Sequence, residues 1–365
     1  MTKIKEIVHF FEELAPPQLQ ESYDNAGLII GLENAEVDSV LISLDVTEEV
    51  VDEAIAQKAQ LIVAHHPIIF SGLKKITGKN YVERTIIKAI KNNIAIFAAH
   101  TNLDSVTGGV NSIICEKIGL ENCQILQPAK GQLKKLVTFI PVEHADKVRE
   151  AVFAAGAGNI GNYDSCGYNL EGTGSFRGNE ATNPFVGEKG QIHYEKEIRF
   201  ETIFPGYLQH KIISALLNSH PYEEVAYDIY PLENNFEKAG MGMVGTLPKE
   251  KTEKEFLQHL KNTFQTGVIK HTRLKGKPVK KVAICGGSGS FLLPNAISAK
   301  ADFFVSGDFK YHQFFDAENK IVIADIGHFE SEQFTKDLFY ELLTKNFPKF
   351  AVRLSEVNTN PVFYF

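Results

Sequence analysis

The chain has 365 residues, 44% hydrophobic and 23% charged, with a formal net charge of −7; this is an ordinary globular composition for two or three domains. It excludes disordered, collagen-like and coiled-coil chains, and the acidic balance speaks against a dedicated nucleic-acid binder while saying little about small anionic substrates. No apolar run approaches the roughly 18 residues needed to span a bilayer, and the amino terminus lacks a signal-peptide pattern, so a cytoplasmic chain with no membrane partner is expected.

In chain order, MTKIKEIVHFFEEL predicts an amphipathic helix. DSVLISLDV (38–46) predicts an apolar strand, after which Thr47 can cap the helix EEVVDEAIAQKA. QLIVAHH (60–66) and IAIFAAH (94–100) predict two further strands, with VERTIIKAIKNN and NSIICEKIGL as their helices. Short apolar strands separated by helices of this length indicate parallel βαβ units. The middle of the chain reads differently. KKLVTFIPV, EHADKVREAVFAAG, a Gly-, Asn- and Ser-rich stretch (156–191), EKEIRFETIFP, GYLQHKIISALLNSH and EVAYDIYPL give the order βαββαβ, once a hairpin is placed in the Gly-rich stretch. That order is the ferredoxin-like motif. The last third returns to the first pattern, with strands VKKVAICGG (279–287), ADFFVSGD (301–308) and KIVIADIGH (320–328), a long terminal helix SEQFTKDLFYELLTKNF and a closing strand AVRLSEV. The expected architecture is therefore an outer α/β domain with a mainly parallel sheet, formed by residues 1–127 and 239–365. A ferredoxin-like α+β insert over 128–238 interrupts it.

Cys115, Cys123, Cys166 and Cys285 contain no C-x-x-C pair. Reduced, mostly buried thiols are expected, with neither a disulfide framework nor a thiolate zinc site.

The chemistry gathers at strand ends. Strand 38–46 ends on Asp45, strand 60–66 on His65-His66, strand 94–100 on His100 with Asp104 four residues on, and strand 320–328 on His328 with Glu330 and Glu332 beyond it. Ligands of parallel α/β sheets bind outside the carboxyl ends of the strands, so these groups should converge from both ends of the chain. Imidazole and carboxylate are ligands for zinc, iron and manganese. Adjacent histidines leaving a strand point in different directions and suit two ions a few ångströms apart. A helix starting near Phe329 would put His328 and Glu332 on one face at i and i+4. The pattern predicts a two-metal site in which Glu330 could replace Glu332 and Asp45 could orient a ligand from behind. Other features admit two readings. CGGSGS (285–290) is either a phosphate cradle or a tight turn. Asp308, Lys310 and His312 in SGDFKYH either hold a substrate anion or start a solvated helix. Asn25 in YDNAG either binds substrate or caps a turn. NYDSCGYNLEGTGSF in the insert is either a hairpin and loop or a ligand lid.

The series DNAGLIIG, LDVTEEVVDEA, AHHPIIF, AAHTNLD, VSGDFKYH and DIGHFESE resembles the Nif-three-like family, whose bacterial members are named GTP cyclohydrolase 1 type 2 homologs. The resemblance covers both outer thirds, and the middle third is similar to the PII/CutA-like insert of the longer bacterial members. It implies a toroidal homohexamer with paired metal ions. It also implies five ligands: His65 and His66 from AHHP, Asp104 from HTNLD, and His328 with Glu332 from GHFESE. The expected cofactors are two divalent ions per chain, zinc first, with iron or manganese as alternatives. The expected function is a dinuclear-metal-dependent hydrolase of a nucleotide-like substrate, acting through a metal-activated water with His100 as acid/base. GTP ring opening is the reaction the resemblance implies. The alternative is a non-catalytic regulatory hexamer with a ligand-sensing insert.

Overall fold

The computed structural model describes residues 2–365. The chain divides into two compact units, one formed by residues up to Gln127 together with Lys238–Phe365, the other by Pro128–Glu237.

The first unit contains two larger sheets rather than the single, mainly parallel sheet expected. The five-stranded sheet runs in the order Ala351–Leu354, Ser39–Ser43, Leu61–Ala64, Ala95–Ala98, Gly27–Ile30. Its first four strands are parallel, and the last is antiparallel to its neighbour. Every residue of Ser39–Ser43, Leu61–Ala64 and Ala95–Ala98 is buried, as strands covered on both faces must be. The six-stranded sheet runs Lys270–His271, Val322–Asp325, Phe303–Gly307, Val279–Ser288, Phe236–Lys251, Glu121–Ala129. Its three central strands are parallel, and Phe236–Lys251 is antiparallel to Val279–Ser288. The carboxyl-terminal strand joins the sheet built by the amino-terminal third, which is how both chain ends come to share one unit.

The helices follow from capping and periodicity. Ile4–Leu14 buries Ile4, Ile7, Val8 and Phe11, one stripe at helical spacing. The Thr47 hydroxyl accepts from Val50 N at 3.3 Å to start Glu48–Ala56, and Asn80 accepts from Glu83 N at 2.9 Å to start Tyr81–Lys91. Gly119, at φ 79°, closes Val110–Ile118 in the left-handed conformation. The expected long terminal helix is two helices, His328–Glu332 and Thr335–Asn346. A further helix, Glu253–Phe264, carries a reciprocal Thr252–Glu255 capping box.

The second unit is a four-stranded antiparallel sheet in the order Tyr227–Pro231, Leu133–Pro141, His193–Pro205, Gly167–Phe176. Numbered along the chain, that order is 4-1-3-2, the order of a βαββαβ ferredoxin-like fold. Helices Ala145–Ala154 and Gln209–Ser219 complete it. Leu136, Ile140, Ile198, Phe200 and Phe204 from the sheet pack with Val148, Val152, Ile212 and Leu216 from the helices to form its core.

No helix among the described residues is long and apolar enough to cross a membrane.

Candidate metal centre

The site is built at the carboxyl ends of parallel strands in the first unit. Where Leu61–Ala64 ends, His65 N and His66 N both donate to Leu44 O, at 3.1 and 3.0 Å, which fixes the backbone that carries the two imidazoles, whose ring centroids lie 4.9 Å apart. Ala95–Ala98 ends two residues before His100, and the short helix Thr101–Asp104 turns Asp104 back towards the same rim. Val322–Asp325 ends two residues before Gly327, at φ 97°, from which the helix His328–Glu332 begins.

Each imidazole is held from behind at Nδ1. His65 Nδ1 lies 2.8 Å from Ala99 O, His66 Nδ1 2.7 Å from Asp45 Oδ1, His100 Nδ1 2.7 Å from Asp24 Oδ1 and His328 Nδ1 2.6 Å from Asp308 Oδ2. Such acceptors fix the Nδ1–H tautomer and aim the Nε2 lone pair inward, the arrangement usual behind metal-ligating histidines. The inward atoms form two groups that share one carboxylate. His65 Nε2 stands 3.7 Å from both Asp104 Oδ1 and Glu332 Oε1. His66 Nε2 and His328 Nε2 each stand 3.1 Å from Glu332 Oε2 and 3.3 Å from one another. His65, Asp104 and Glu332 offer ligand atoms within 4.8 Å of one another, as do His66, His328 and Glu332, and also His65, His66 and His100. His65 Nε2, Asp104 Oδ1 and Glu332 Oε2 are buried and make no hydrogen bond. Three orphaned polar atoms buried in one cluster are costly unless a cation joins them. The donor set fits a divalent ion that takes nitrogen and oxygen ligands.

The electrostatics agree. Burial pushes the fully buried His65 down. Burial, reinforced by the negative Glu332, raises the Asp104 carboxyl well above its ordinary value. Burial would also raise Glu332, but the imidazoles of His65, His328 and His66 overcome it and hold that carboxylate well below the usual range. Burial opposes charge on His66 and His328 too. The carboxylates of Asp45 and Glu332 nevertheless lift His66 to about 10, and those of Asp308 and Glu332 lift His328 to about 11. Without a metal, protons gather where the carboxylates need positive charge.

Asp45 and Asp308 thus sit behind ligand atoms, and Thr359 donates to Asp45 Oδ2 at 2.6 Å. Glu330 is not part of the cluster: it accepts from Asn360 Nδ2 at 3.3 Å and Tyr364 Oη at 3.4 Å. The structure does not bring Lys310, His312 or Asn25 to the cavity. Lys310 and His312 are exposed on the short helix beyond Asp308, and the Asn25 amide donates to Ile69 O at 2.7 Å. CGGSGS is no phosphate cradle. Its Gly286, Gly287 and Gly289 amides are spent on Asn111, Ser331 and Ser306 side chains, and Gly287, at φ 58°, leaves room for the Glu332 carboxylate.

Two participants escaped sequence reasoning. Asp24, with its side chain wholly buried, accepts from His100 and Thr101; it sits in the YDNAG segment, where Asn25 drew attention instead. Thr359 had no local signal, because only the tertiary fold brings the tail to Asp45. The cluster lies in a cavity of about 990 Å³ whose wall includes Tyr23, Phe70, Tyr81, Phe291 and Tyr364.

An α/β unit with two larger sheets and an inserted ferredoxin-like unit, and a His/carboxylate cluster able to hold metal at its strand ends, define the class of protein. Residues 2–361 match the family described as Duf34/NIF3 (NGG1p interacting factor 3). A Halalkalibacterium halodurans protein named GTP cyclohydrolase 1 type 2 homolog is 41% identical over 97% of this chain and 97% of its own. A Bacillus subtilis protein of the same name is 40% identical over 98% of this chain and 97% of its own. The crystal structure of a Bacillus cereus protein related to NIF3 superposes with a TM-score of 0.86 at 41% identity, covering 100% of this chain and 99% of that one. The chain belongs to the DUF34/NIF3 family.

Proposed function

We propose that the chain is a dinuclear-metal-dependent hydrolase acting on a nucleotide-like substrate. The observation that carries this reading is the pair of ligand groups joined through Glu332, whose Oε1 faces His65 and whose Oε2 faces His66 and His328. His65, Asp104 and Glu332 would hold one divalent ion, and His66, His328 and Glu332 the other, with zinc the first expectation and iron or manganese the alternatives. When bound, such ions supply Lewis acidity and make water nucleophilic near neutral pH. The chain's own residues do the rest. Asp45, Asp308 and the Ala99 carbonyl keep three imidazole lone pairs aimed inward. His100, backed by Asp24, presents its other ring nitrogen beside His65 and His66, with ring centroids 5.2 and 5.3 Å away, and would move the proton.

A planar base suits the aromatic wall, where Tyr23 and Phe70 lie 6.1 Å apart and Phe70 lies 6.0 Å from His100. GTP is the substrate suggested by the relatives' name. The decisive experiment incubates metal-loaded protein with GTP and a panel of nucleotides and phosphoesters. Metal-dependent product that vanishes on chelation supports the hydrolase. No product from any member overturns it in favour of a non-catalytic metal-binding assembly.

Assembly as a homohexamer belongs to the same proposal. It is supported by the apolar tail residues Val362, Phe363 and Phe365, which a single chain leaves exposed, and sedimentation tests it. The PII/CutA-like reading of the insert rests on its 4-1-3-2 sheet.

A further inference from the structure

The inserted unit carries a cavity of its own, which the hydrolase chemistry does not use. It measures about 650 Å³. Side chains alternate along His193–Pro205. Ile198, Phe200 and Phe204 enter the core beneath the helices, so Glu197 and Arg199 stand on the opposite face, where the cavity lies. Phe139, the adjacent strand over 170–176, and residues within 177–185 and 222–226 supply the rest of its wall.

Glu197 is unusual there. It is 7% exposed, and its Oε1 accepts from the Tyr222 hydroxyl at 3.0 Å. Its Oε2 receives no hydrogen bond among the described residues. Room for the carboxylate is made on the neighbouring strand, where a methyl group at Gly174 would collide with it and Gly172, its cross-strand partner, leaves open space. Burial raises the Glu197 carboxyl, and the Tyr222 bond only partly offsets this. Around it stand Phe176 and Phe185, with ring centroids 5.9 and 6.3 Å from that of Tyr222. Four glutamates but only two arginines line the cavity, and one of these, Arg199, is paired with Glu201 at 2.9 Å. An anion would meet a negative field here. A neutral apolar guest would leave a carboxylate desolvated without compensation. A cation on a flat body would satisfy the carboxylate and lie against ring faces.

We propose that this cavity binds a small organic cation, its ammonium, amidinium or guanidinium group set against Glu197 and its apolar body among Phe176, Phe185 and Tyr222. Calorimetric titration of the full chain with phenethylamine, tryptamine, benzamidine and agmatine tests it, with phenethyl alcohol as the neutral counterpart. At least one cation should bind with a Kd of about 1 mM or better, and phenethyl alcohol about tenfold more weakly than phenethylamine. Glu197→Gln should weaken the bound cation about tenfold or more, whereas Glu332→Gln, at the metal cluster, should leave its affinity unchanged. Binding lost equally in Glu332→Gln would assign the cation to the metal cluster and overturn the proposal. So would no binding by any of the four at about 10 mM, equal affinity for the alcohol, or full affinity in Glu197→Gln. Should Glu197→Gln not fold, Phe185→Ala replaces it: a loss of about threefold or more is expected from the missing ring face, and undiminished affinity overturns the proposal.

Discussion

Glu332 joins the two ligand groups, and its effect can be separated from the fold. Glutamine is nearly isosteric and a comparable helix former, so Glu332→Gln should still fold, with an unchanged far-ultraviolet circular dichroism spectrum, while bound metal, measured by mass spectrometry of metals, falls sharply. Unfolding with metal retained would reverse the assignment. The protons on the metal-free cluster lead to a second expectation. His66 and His328 have pKa values of about 10 and 11, above the unfolded value of 6.5, so both carry protons at neutral pH that a metal must displace. Apparent metal affinity should therefore rise with pH between about 6 and 9, by up to about tenfold per unit for each proton released, as chelator competition at several pH values would read. By the same sign rule, the stability these protons lend the metal-free chain is complete below about 6.5 and is lost as pH rises through about 10. Asp24 behaves oppositely. Burial works against its charge, but bonds from His100 and Thr101 take its pKa down to about 2. Asp24→Asn should cost about 1–2 kcal/mol at pH 7, after allowance for solvent screening. The difference from the parent should shrink as pH falls below about 4 towards about 2, as urea titrations across that range would show.

At the scale of elements, the end of strand Val279–Ser288, where the chain turns towards the next helix, acts as a spacer for Glu332. Gly287 lies at φ 58°, and any β-carbon there would meet Glu332 Oε1, with Cδ at 3.1 Å and His328 Cε1 at 3.2 Å. Gly287→Ala would strain the backbone by about 1–2 kcal/mol and push the shared carboxylate off its imidazoles. Metal affinity should fall by more than the drop in stability accounts for, whereas equal metal content in the variant and parent would show the turn to be a mere connector. Much of this element pattern is legible in the sequence. The runs 38–46, 60–66 and 94–100 become the buried strands Ser39–Ser43, Leu61–Ala64 and Ala95–Ala98, because continuous apolar residues suit a sheet covered on both faces. Less legible are Gly27–Ile30, Glu121–Ala129 and Phe236–Lys251, whose glycines and polar residues disguise them. They are strands because neighbouring strands give their backbone groups partners, a pairing that no local window contains.

For the whole molecule, the separation into two units has a direct consequence. His65, His66, His100, Asp104, His328 and Glu332 all lie outside Pro128–Glu237. The chain leaves and re-enters the first unit through Glu121–Ala129 and Phe236–Lys251, which are neighbours in one sheet, so a short flexible linker can span the gap left by removing about 128–238. The shortened protein should fold cooperatively and retain its metal, checked by circular dichroism and metal analysis over several linker lengths. A soluble product without metal would show that the insert supports the site. Loss of cation binding in the same protein, with metal retained, would locate the two activities in separate units.

By itself the sequence determined the periodicities, the caps and the chemical identity of the strand ends, because these depend on residues close together in the chain. Histidines and carboxylates closing several apolar strands are local facts, and the rule that ligands gather at the carboxyl ends of parallel strands turns them into a site. Only the tertiary structure decided that two larger sheets rather than one carry these ends, that Glu332 and not Glu330 faces the imidazoles, and that Asp24 and Thr359 stand behind His100 and Asp45. Glu330 and Glu332 are two residues apart on one helix, so chemistry and spacing alone do not choose between them. The direction each takes from the helix axis chooses, once packing has fixed that axis against the Gly287 turn.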